Sequence, residues 1–375
     1  MAADRPLLVL HDKEEGHLVY DLLLLLDGEE ETTTLACFPR PVARFPSQWC
    51  LSFAVSGGSI VGAEYDWNDT YFHDTVMKVG GYDFWERHAS PWSRRDSEGR
   101  LVRWWPMFRS YASRFLGGRH RDRPAMLPLP DGTVVRMDTV LFDGIYTFET
   151  LRPLPGGGGW HATPLPNPPV GPLRKNEITF VSAYLALGTR VWISVNDLTA
   201  KGTFSLDTKH GRTWRKEGTW LLPFEGRAFY VPKLDSVIGL TAGTRLLCAC
   251  DVDNLQVVRH VWTDTYPRPW EERIISDGGH PPSEPSKPRD MPSLAYLGKG
   301  RICICRPMST MEPSDYGPIV TYNAASLLVV ELKRSSLPPN GNGDLHLARR
   351  GKMSYMWPPQ GRESPYMGFI QPATC

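Results

Sequence analysis

Alternating apolar and polar residues run through most of the chain, and the clearest example lies between Gly202 and Phe224. Phe204 and Leu206 share one parity before a turn that contains Asp207 and Gly211. Because successive strand residues point to opposite faces, this pattern predicts a half-buried hairpin of two antiparallel strands. In the turn, Asp can bond nearby backbone groups and Gly tolerates positive φ. The residues predicted to pack in the core after the turn are Trp214, Trp220, Leu222 and Phe224.

Weaker copies of this strand–turn–strand pattern recur, and six strand-like segments each lead into an acidic residue. With roughly four strands for each such segment, the chain is predicted to be all-β, as a β-propeller of about six four-stranded blades. A single blade cannot bury both of its faces, whereas blades stacked around a ring cover one another and leave only short edges. A two-sheet β-sandwich is the alternative. The six segments end in Tyr20-Asp21, His73-Asp74, Phe148-Glu149, Leu206-Asp207, Cys250-Asp251 and Val330-Glu331.

A single propeller domain covering residues 1–375 is predicted, because one series of strands accounts for nearly the whole chain. The 34 Gly and 34 Pro make up about 18% of the residues, above a usual ~12%, and they fit many short strands joined by turns. Two segments interrupt the series: an arginine- and aromatic-rich insertion at 84–124 and a proline-rich loop at 266–292. The insertion contains ten arginines and four acidic residues, so it carries +6 and the rest of the chain carries −5.

The cysteines and the N-terminal sequence indicate an intracellular protein. Seven cysteines are an odd number, and 375 residues are far more than the small secreted scaffolds that disulfides hold together. The start, MAADRPLLVL, lacks the basic region and long apolar stretch of a signal peptide, and the apolar run 22–26 is too short to cross a bilayer. A cytoplasmic or nuclear location without secretion is therefore expected.

No catalytic, cofactor-binding or metal-binding residues are predicted, and no enzymatic activity is expected. The ten histidines are scattered, and the sequence contains neither a nucleophile elbow nor a P-loop nor a dinucleotide fingerprint. Two C-x-C pairs, Cys248-Ala249-Cys250 and Cys303-Ile304-Cys305, could bring four thiolates together, but both lie in apolar strands where cysteine behaves as a small buried hydrophobe. Arg349-Arg350-Gly351-Lys352 is interpreted as a solvated basic turn.

The insertion at 84–124 is the best candidate for a binding surface. Its arginines and aromatic residues could anchor a protein interface, where Trp, Tyr and Arg dominate the binding energy. They could also stack on bases and neutralise phosphates, which makes nucleic acid an alternative ligand, and a solvated loop packed on a blade edge is the structural interpretation. The prediction is a non-catalytic scaffold that binds a protein partner through loops on one face, and an enzyme that uses the central channel is a further alternative. The predicted contacts are Trp85, Arg94, Arg95, Trp104, Trp105 and Arg109.

Several segments also resemble an uncharacterised plant family that is expanded in grasses. They are FETLRPLP at 148–155, WHATPLPNPP at 160–169, and the segment from GTFSLDT at 202 to LLCACDV at 252. SLAYLGKGRICICR and GDLHLARRGKMSYMWP are similar to the C-terminal pattern of that family. Its members are described as kelch-like or F-box-associated-like β-propellers, so the resemblance implies the propeller fold. The chain departs from related F-box proteins because it begins with strand-like sequence, with no helical F-box.

Overall fold

Every strand in the computed structural model joins one of six sheets, which we number 1 to 6 in ring order. The residues that the structure describes are 6–12, 16–26, 35–45, 51–56, 59–64, 74–78, 84–86, 125–142, 148–153, 160–168, 178–196, 201–211, 213–265, 292–312, 319–335, 344–356 and 367–370. Among them, no helix is both long enough and apolar enough to span a membrane.

Sheets 1 and 2 contain the N-terminal strands apart from β3, and sheet 1 also contains the last of the described strands. Sheet 1 has the order β27-β1-β2-β4, and sheet 2 has the order β5-β6-β7-β8. The bounds in sheet 1 are Leu7–Asp12 (β1), Gly16–Asp21 (β2), Ala43–Phe45 (β4) and Met367–Ile370 (β27). The bounds in sheet 2 are Leu51–Ser56 (β5), Ser59–Glu64 (β6), Asp74–Lys78 (β7) and Phe84–Glu86 (β8).

Sheets 3 and 4 lie next along the chain. Sheet 3 has the order β13-β12-β10-β9, and sheet 4 has the order β11-β14-β15-β16-β17 with β18 paired in parallel to β14. The bounds in sheet 3 are Ala125–Pro128 (β9), Val134–Met137 (β10), Phe148–Pro153 (β12) and Trp160–Pro164 (β13). The bounds in sheet 4 are Val140–Phe142 (β11), Ile178–Leu187 (β14), Arg190–Val195 (β15), Gly202–Asp207 (β16), Arg215–Gly218 (β17) and Gly226–Arg227 (β18).

Sheets 5 and 6 complete the set. Sheet 5 has the order β19-β20-β21-β22, and sheet 6 has the order β23-β24-β25-β26-β3, in which β3 pairs in parallel with β26. The bounds in sheet 5 are Phe229–Val231 (β19), Ser236–Leu240 (β20), Leu247–Asp251 (β21) and Asn254–Trp262 (β22). The bounds in sheet 6 are Leu35–Cys37 (β3), Ser293–Gly298 (β23), Arg301–Glu312 (β24), Ile319–Arg334 (β25) and Leu345–Met356 (β26).

The six sheets follow one another around a closed ring. The contacts between strands of neighbouring sheets run β27 to β5, β5 to β9, β9 to β14 and β14 to β19, and β23 touches β27. Sheets 5 and 6 share an apolar core, as do the pairs 2 and 3, 3 and 4, 4 and 5, and 6 and 1. Between sheets 1 and 2, His17 meets the Phe53 ring edge-on, with ring centroids 5.4 Å apart. The arrangement is that of a β-propeller, which confirms the predicted all-β propeller class and excludes a two-sheet sandwich.

The six acidic residues that end the predicted segments fall one in each sheet, and each lies in the third strand when sheet 3 is counted from β9 and sheet 4 from β14. Three of them pair with an arginine of the adjacent strand: Glu149 with Arg136, Asp251 with Arg259, and Glu331 with Arg350. Two others accept backbone N–H groups where the strand ends, Asp21 from Leu23 and Asp207 from Lys209. Five of the six acidic residues therefore hold a third strand in place, either by an ion pair to the adjacent strand or by a hydrogen bond at the end of their own strand.

The sequence HLVYDLLLLL at 17–26 predicts one continuous strand, but the residues after Asp21 form a helical turn. Leu22–Leu25 form this short helix, α1, and the Asp21 carboxylate caps it by accepting the N–H of Leu23 at 2.9 Å. Leu22 and Leu25 are buried, whereas Leu24 is 60% exposed. A local side-chain cap thus ends β2, because Asp offers the backbone an alternative partner to the next strand.

The hairpin predicted at 202–224 is confirmed as two antiparallel strands around a turn, but its second strand is shorter than predicted. β17 ends at Gly218, and the residues after it cross to sheet 5, where Phe224 forms a bridge with Thr241. Phe224 is buried as predicted, whereas Trp214 and Trp220 are only partly buried at the edges of their clusters. In the turn, a Cβ on Gly211 would lie 2.6 Å from the carbonyl oxygen of Asp207, so close approach rather than positive φ requires glycine there.

Asp207 organises the turn through its carboxylate. Oδ1 accepts the backbone N–H groups of Lys209 at 3.0 Å and His210 at 3.3 Å, and the Thr189 hydroxyl at 3.2 Å. Partial burial of the carboxylate would raise its pKa, but these hydrogen bonds outweigh burial and lower the pKa of Asp207 below its ordinary value of 3.8. The native turn therefore prefers the ionised side chain.

Replacing Asp207 by asparagine is expected to destabilise the protein at neutral pH and to make little difference in acid. A lowered native pKa contributes stability that is complete above the unfolded-state pKa and is lost as the pH falls through the native pKa. Urea unfolding at pH 7 and at about pH 2 measures both limits. Asp253→Asn, in the exposed turn between β21 and β22, controls for the loss of one surface charge. An Asp207→Asn effect of equal size at both pH values would contradict this role.

Candidate functional site

The structure describes the backbone of one of the six predicted contact residues. Trp85 is the middle residue of β8 and pairs with Val76 of β7. The insertion proposed to begin at residue 84 therefore starts three residues too early, because Phe84–Glu86 complete sheet 2. The other five contacts lie outside the described residues and stay a prediction: Arg94, Arg95, Trp104, Trp105 and Arg109.

The order of strands fixes where each long segment joins the ring. In a four-stranded antiparallel sheet, the second turn and the link to the next sheet leave from the same end of the strands. We call this the connection end, marked in sheet 5 by the turn 241–246 and by Thr265. The opposite, hairpin end of sheet 5 carries the 3₁₀ turn Pro232–Leu234. Residues 87–124 link the end of β8 to the start of β9, so both of their junctions belong to the connection end.

The turn 241–246 at the connection end is held by several hydrogen bonds. The N–H of Arg245 donates to the carbonyl of Thr241 at 2.9 Å, and the N–H of Leu246 donates to the Thr241 hydroxyl at 3.0 Å. The N–H of Ala242 donates to the carbonyl of Pro223 at 3.0 Å, which ties the turn to the crossing segment from sheet 4. Ala242, Gly243 and Thr244 are exposed, so a rigidly held turn is presented to solvent.

Arg245 adopts a left-handed backbone conformation with φ of 56°, which is costly for a residue with a side chain. Its surroundings hold it in place. The Arg245 side chain is buried against Glu225, with Nε 3.3 Å from Oε2 and Nη2 3.4 Å from Oε1. Such two-point contacts fix the orientation of a guanidinium as well as its position. The strained turn therefore persists because contacts on both its side chain and its backbone determine it.

Arg306 of sheet 6 forms hydrogen bonds to the connection end of the neighbouring sheet 5. Its Nη2 donates to the carbonyl of Arg245 at 2.9 Å and to the carbonyl of Thr265 at 3.0 Å. Thr265 is fully buried, accepts the N–H of Leu247 at 3.0 Å and donates to the carbonyl of Trp262 at 2.6 Å. One guanidinium thus joins the second turn of sheet 5 to the point where the chain leaves that sheet.

The predicted basic turn lies inside strand β26 instead, next to this junction. Arg349 donates to the backbone carbonyl of Asp264, and Arg350 forms an ion pair with Glu331. Lys352 is buried, with 4% of its surface exposed. The segment is therefore a strand and not a turn, and the predicted exposure to solvent holds for Arg349 and Arg350 but not for Lys352.

The two C-x-C pairs lie at different junctions of the ring and do not approach each other. One pair packs between sheets 4 and 5, and the other packs between sheets 6 and 1. Burial raises the pKa of all four thiols, that of Cys250 to about 12, so they stay protonated at neutral pH. Within the described ranges, no three His, Cys, Asp or Glu side chains group as they would around a metal ion.

The pKa of His260 departs from its ordinary value. Burial and the nearby charge of Arg259 lower the pKa of His260, so the imidazole is neutral at pH 7. Its ring stacks on Trp262, with centroids 5.7 Å apart and planes 13° from parallel. This packing within β22, the outer strand of sheet 5, explains the position of the His260 ring.

Residues 118–355 match the family model described as "Protein of unknown function (DUF1668)". The chain belongs to this family. The matched region of the DUF1668 model starts just before β9 and ends in β26, so it covers sheets 3 to 5 and most of sheet 6. Among curated proteins, none matches the chain.

Several solved structures are similar to this DUF1668 chain at low identity. TolB from Acinetobacter baumannii is 12% identical with a TM-score of 0.41, over 93% of this chain and 67% of that one. A Lactobacillus plantarum protein is 8% identical with a TM-score of 0.40, over 94% and 99%. A member of the DUF4221 family from Bacteroides vulgatus is 9% identical with a TM-score of 0.35, over 97% and 93%. The ring of sheets is established by this chain's own strand pairing.

Sequence reasoning missed the rigid turn at the connection end. The Thr-Ala-Gly-Thr sequence at 241–244 does indicate a turn, since small polar residues and glycine favour one. Nothing local indicates that Arg306, 61 residues away from Arg245, would bond to its carbonyl. That contact exists only because sheets 5 and 6 lie side by side.

Proposed function

We propose that this protein is a non-catalytic scaffold that binds a protein partner through the loops at the connection end of its ring. The observation that carries the proposal is the turn 241–246, which is exposed at its tip and held from beneath by Glu225 and Arg306. Binding residues commonly lie on loops that a rigid framework positions. A turn that keeps a strained residue is a sign that its shape matters.

The proposal includes the type of propeller. Each of the six sheets has a core of four antiparallel strands, which supports six blades of the kelch-like kind. The resemblance to a plant family expanded in grasses supports the same type. The buried thiols suit a reducing compartment, so we place the protein in the cytoplasm or the nucleus.

The arginine-rich segment is a further part of the proposed binding surface. Residues 87–124 join the ring at the connection end, where the turn 241–246 lies. Contacts from Trp85, Arg94, Arg95, Trp104, Trp105 and Arg109 would therefore reach a partner that also touches the second turns.

A photo-crosslinking comparison within sheet 5 tests the proposal. A photoreactive residue is placed at Ala242 on the connection end or, as the matched control, at Lys233 on the hairpin end. Both positions are exposed turns of the same sheet, so they differ mainly in the face that they report. We expect one protein to crosslink in stoichiometric amount from position 242 and not from position 233.

Other outcomes of the crosslinking would favour other functions. Equal crosslinking from both positions would contradict a single binding face. Recovery of nucleic acid without protein, lost steeply as salt rises, would replace the scaffold with nucleic-acid binding. In a separate activity assay, turnover of a small molecule at the same rate with and without a partner would indicate an enzyme.

A further inference from the structure

The ring is closed by pairing the two ends of the chain without a covalent link. β27 pairs with β1 through four residue pairs, Leu7 with Ile370, Leu8 with Phe369, Val9 with Gly368, and Leu10 with Met367. β1 pairs with β2 through six residue pairs, so β1 is held more extensively on its other edge. A strand held by only four residue pairs on one edge is the kind of unit that opens locally at low cost in free energy.

The edge of β1 that receives β27 is strongly apolar. Leu7, Leu8, Val9 and Leu10 are 4%, 0%, 0% and 1% exposed. When β27 detaches, β1 would present unpaired backbone groups beside this buried surface, and such an edge readily accepts an added strand. β23 and β5 border the position of β27 on its two sides, so an incoming strand would have to fit a defined slot.

We propose that this slot exchanges strands between two copies of the chain, so that each copy receives residues 367–370 of the other. A second copy is the occupant that reproduces all four pairs in the same register, because its residues 367–370 are identical. The link from β26 to β27 spans residues 357–366 and contains three prolines. Reciprocal exchange of identical strands gives a closed, two-fold symmetric dimer.

The balance between closed monomer and exchanged dimer follows from effective concentration. The closed and exchanged forms make the same pairs, so a tether of this length favours the monomer until the protein approaches roughly millimolar concentration. The exchanged fraction is therefore expected to grow in proportion to protein concentration while the monomer dominates.

A disulfide placed across the β1–β27 pair tests the exchange in the full-length chain. Val9→Cys and Gly368→Cys put two cysteines at directly paired positions, where Cα separations suit a disulfide. Cys37, Cys50 and Cys375 are changed to serine in the same protein, so that only buried native thiols remain. Val135→Cys with Thr150→Cys, a registered pair between β10 and β12 of sheet 3, is the matched control because no chain end is involved.

Both proteins are incubated without denaturant at about 5 µM and at about 500 µM, then oxidised and separated on a non-reducing gel. For the 9–368 pair we expect interchain disulfide dimers whose ratio to monomer rises by about tenfold for each tenfold in concentration. The 135–150 pair is expected to crosslink within one chain at every concentration. The proposal would be overturned if the 9–368 disulfide formed only within one chain at both concentrations. It would also be overturned if the dimers lacked this disulfide.

Discussion

Replacing Phe224 by alanine is expected to lower the free energy of unfolding by about 3–5 kcal/mol. The Phe224 ring is 1% exposed and packs in the cluster between sheets 4 and 5. A Cβ on Gly239 would lie 2.8 Å from that ring, so the ring fills its space against the backbone of β20. Alanine would leave a cavity that close-packed strands cannot collapse to fill. Equilibrium unfolding in urea measures the loss as a shift of the midpoint at constant slope.

Trp220→Ala is the matched comparison for Phe224→Ala, because it also removes an aromatic ring from the same cluster. Trp220 is only partly buried, and its ring lies over Gly218 at the edge of sheet 4. We therefore expect a smaller loss than for Phe224, although tryptophan is the larger side chain. A Trp220→Ala loss equal to or greater than that of Phe224→Ala would contradict the assignment of Phe224 as the core residue of this crossing.

Breaking the buried ion pair of sheet 3 is expected to cost a similar amount, about 3–5 kcal/mol for Glu149→Gln. Arg136 and Glu149 are direct partners across β10 and β12, with Nη1 2.9 Å from Oε1 and side chains 3% and 11% exposed. They share a face with Val134 and Leu151, which pack toward sheet 2. Glutamine keeps the shape but deprives a buried guanidinium of its carboxylate, and little water is there to replace that charge.

The double variant Arg136→Met with Glu149→Leu separates charge pairing from packing. Removing both charges leaves apolar side chains of similar volume at a sheet junction, which is often close to neutral for buried ion pairs. We expect the double variant to lose less stability than Glu149→Gln alone in the same urea experiment. A loss equal to the sum of the losses of the Arg136→Met and Glu149→Leu single variants would show that the pair is not coupled.

The strands and their class could be predicted from the sequence because both depend on local patterning. Period-two alternation identified β16, and the six acidic residues identified one third strand in each sheet. Two strands end earlier than the sequence predicts, because local backbone and side-chain preferences compete with strand pairing. Asp21 caps a helical turn where an apolar run suggested strand, and Gly218 ends β17 before the tryptophan that was placed in it.

The candidate site could not be predicted in the same way because its contacts join distant parts of the chain. Arg306 meets the carbonyls of Arg245 and Thr265 only after sheets 5 and 6 are side by side. Basic residues in a sequence indicate solvent exposure on average, so the burial of Lys352 had no signal of its own. The residue types at 241–244 favour a turn, but hydrogen bonds from distant parts of the chain also hold this turn.

The sharing of sheet 1 between distant parts of the chain has a consequence for synthesis on the ribosome. Sheets 2 to 5 possess all their strands once β22 has emerged, whereas β1 waits for β27, the last of the described strands to be made. Until β27 has been made, the nascent polypeptide therefore carries an uncovered apolar edge at β1. Such an edge is a natural target for chaperones, and messages truncated before codon 367 would yield products that quality control removes.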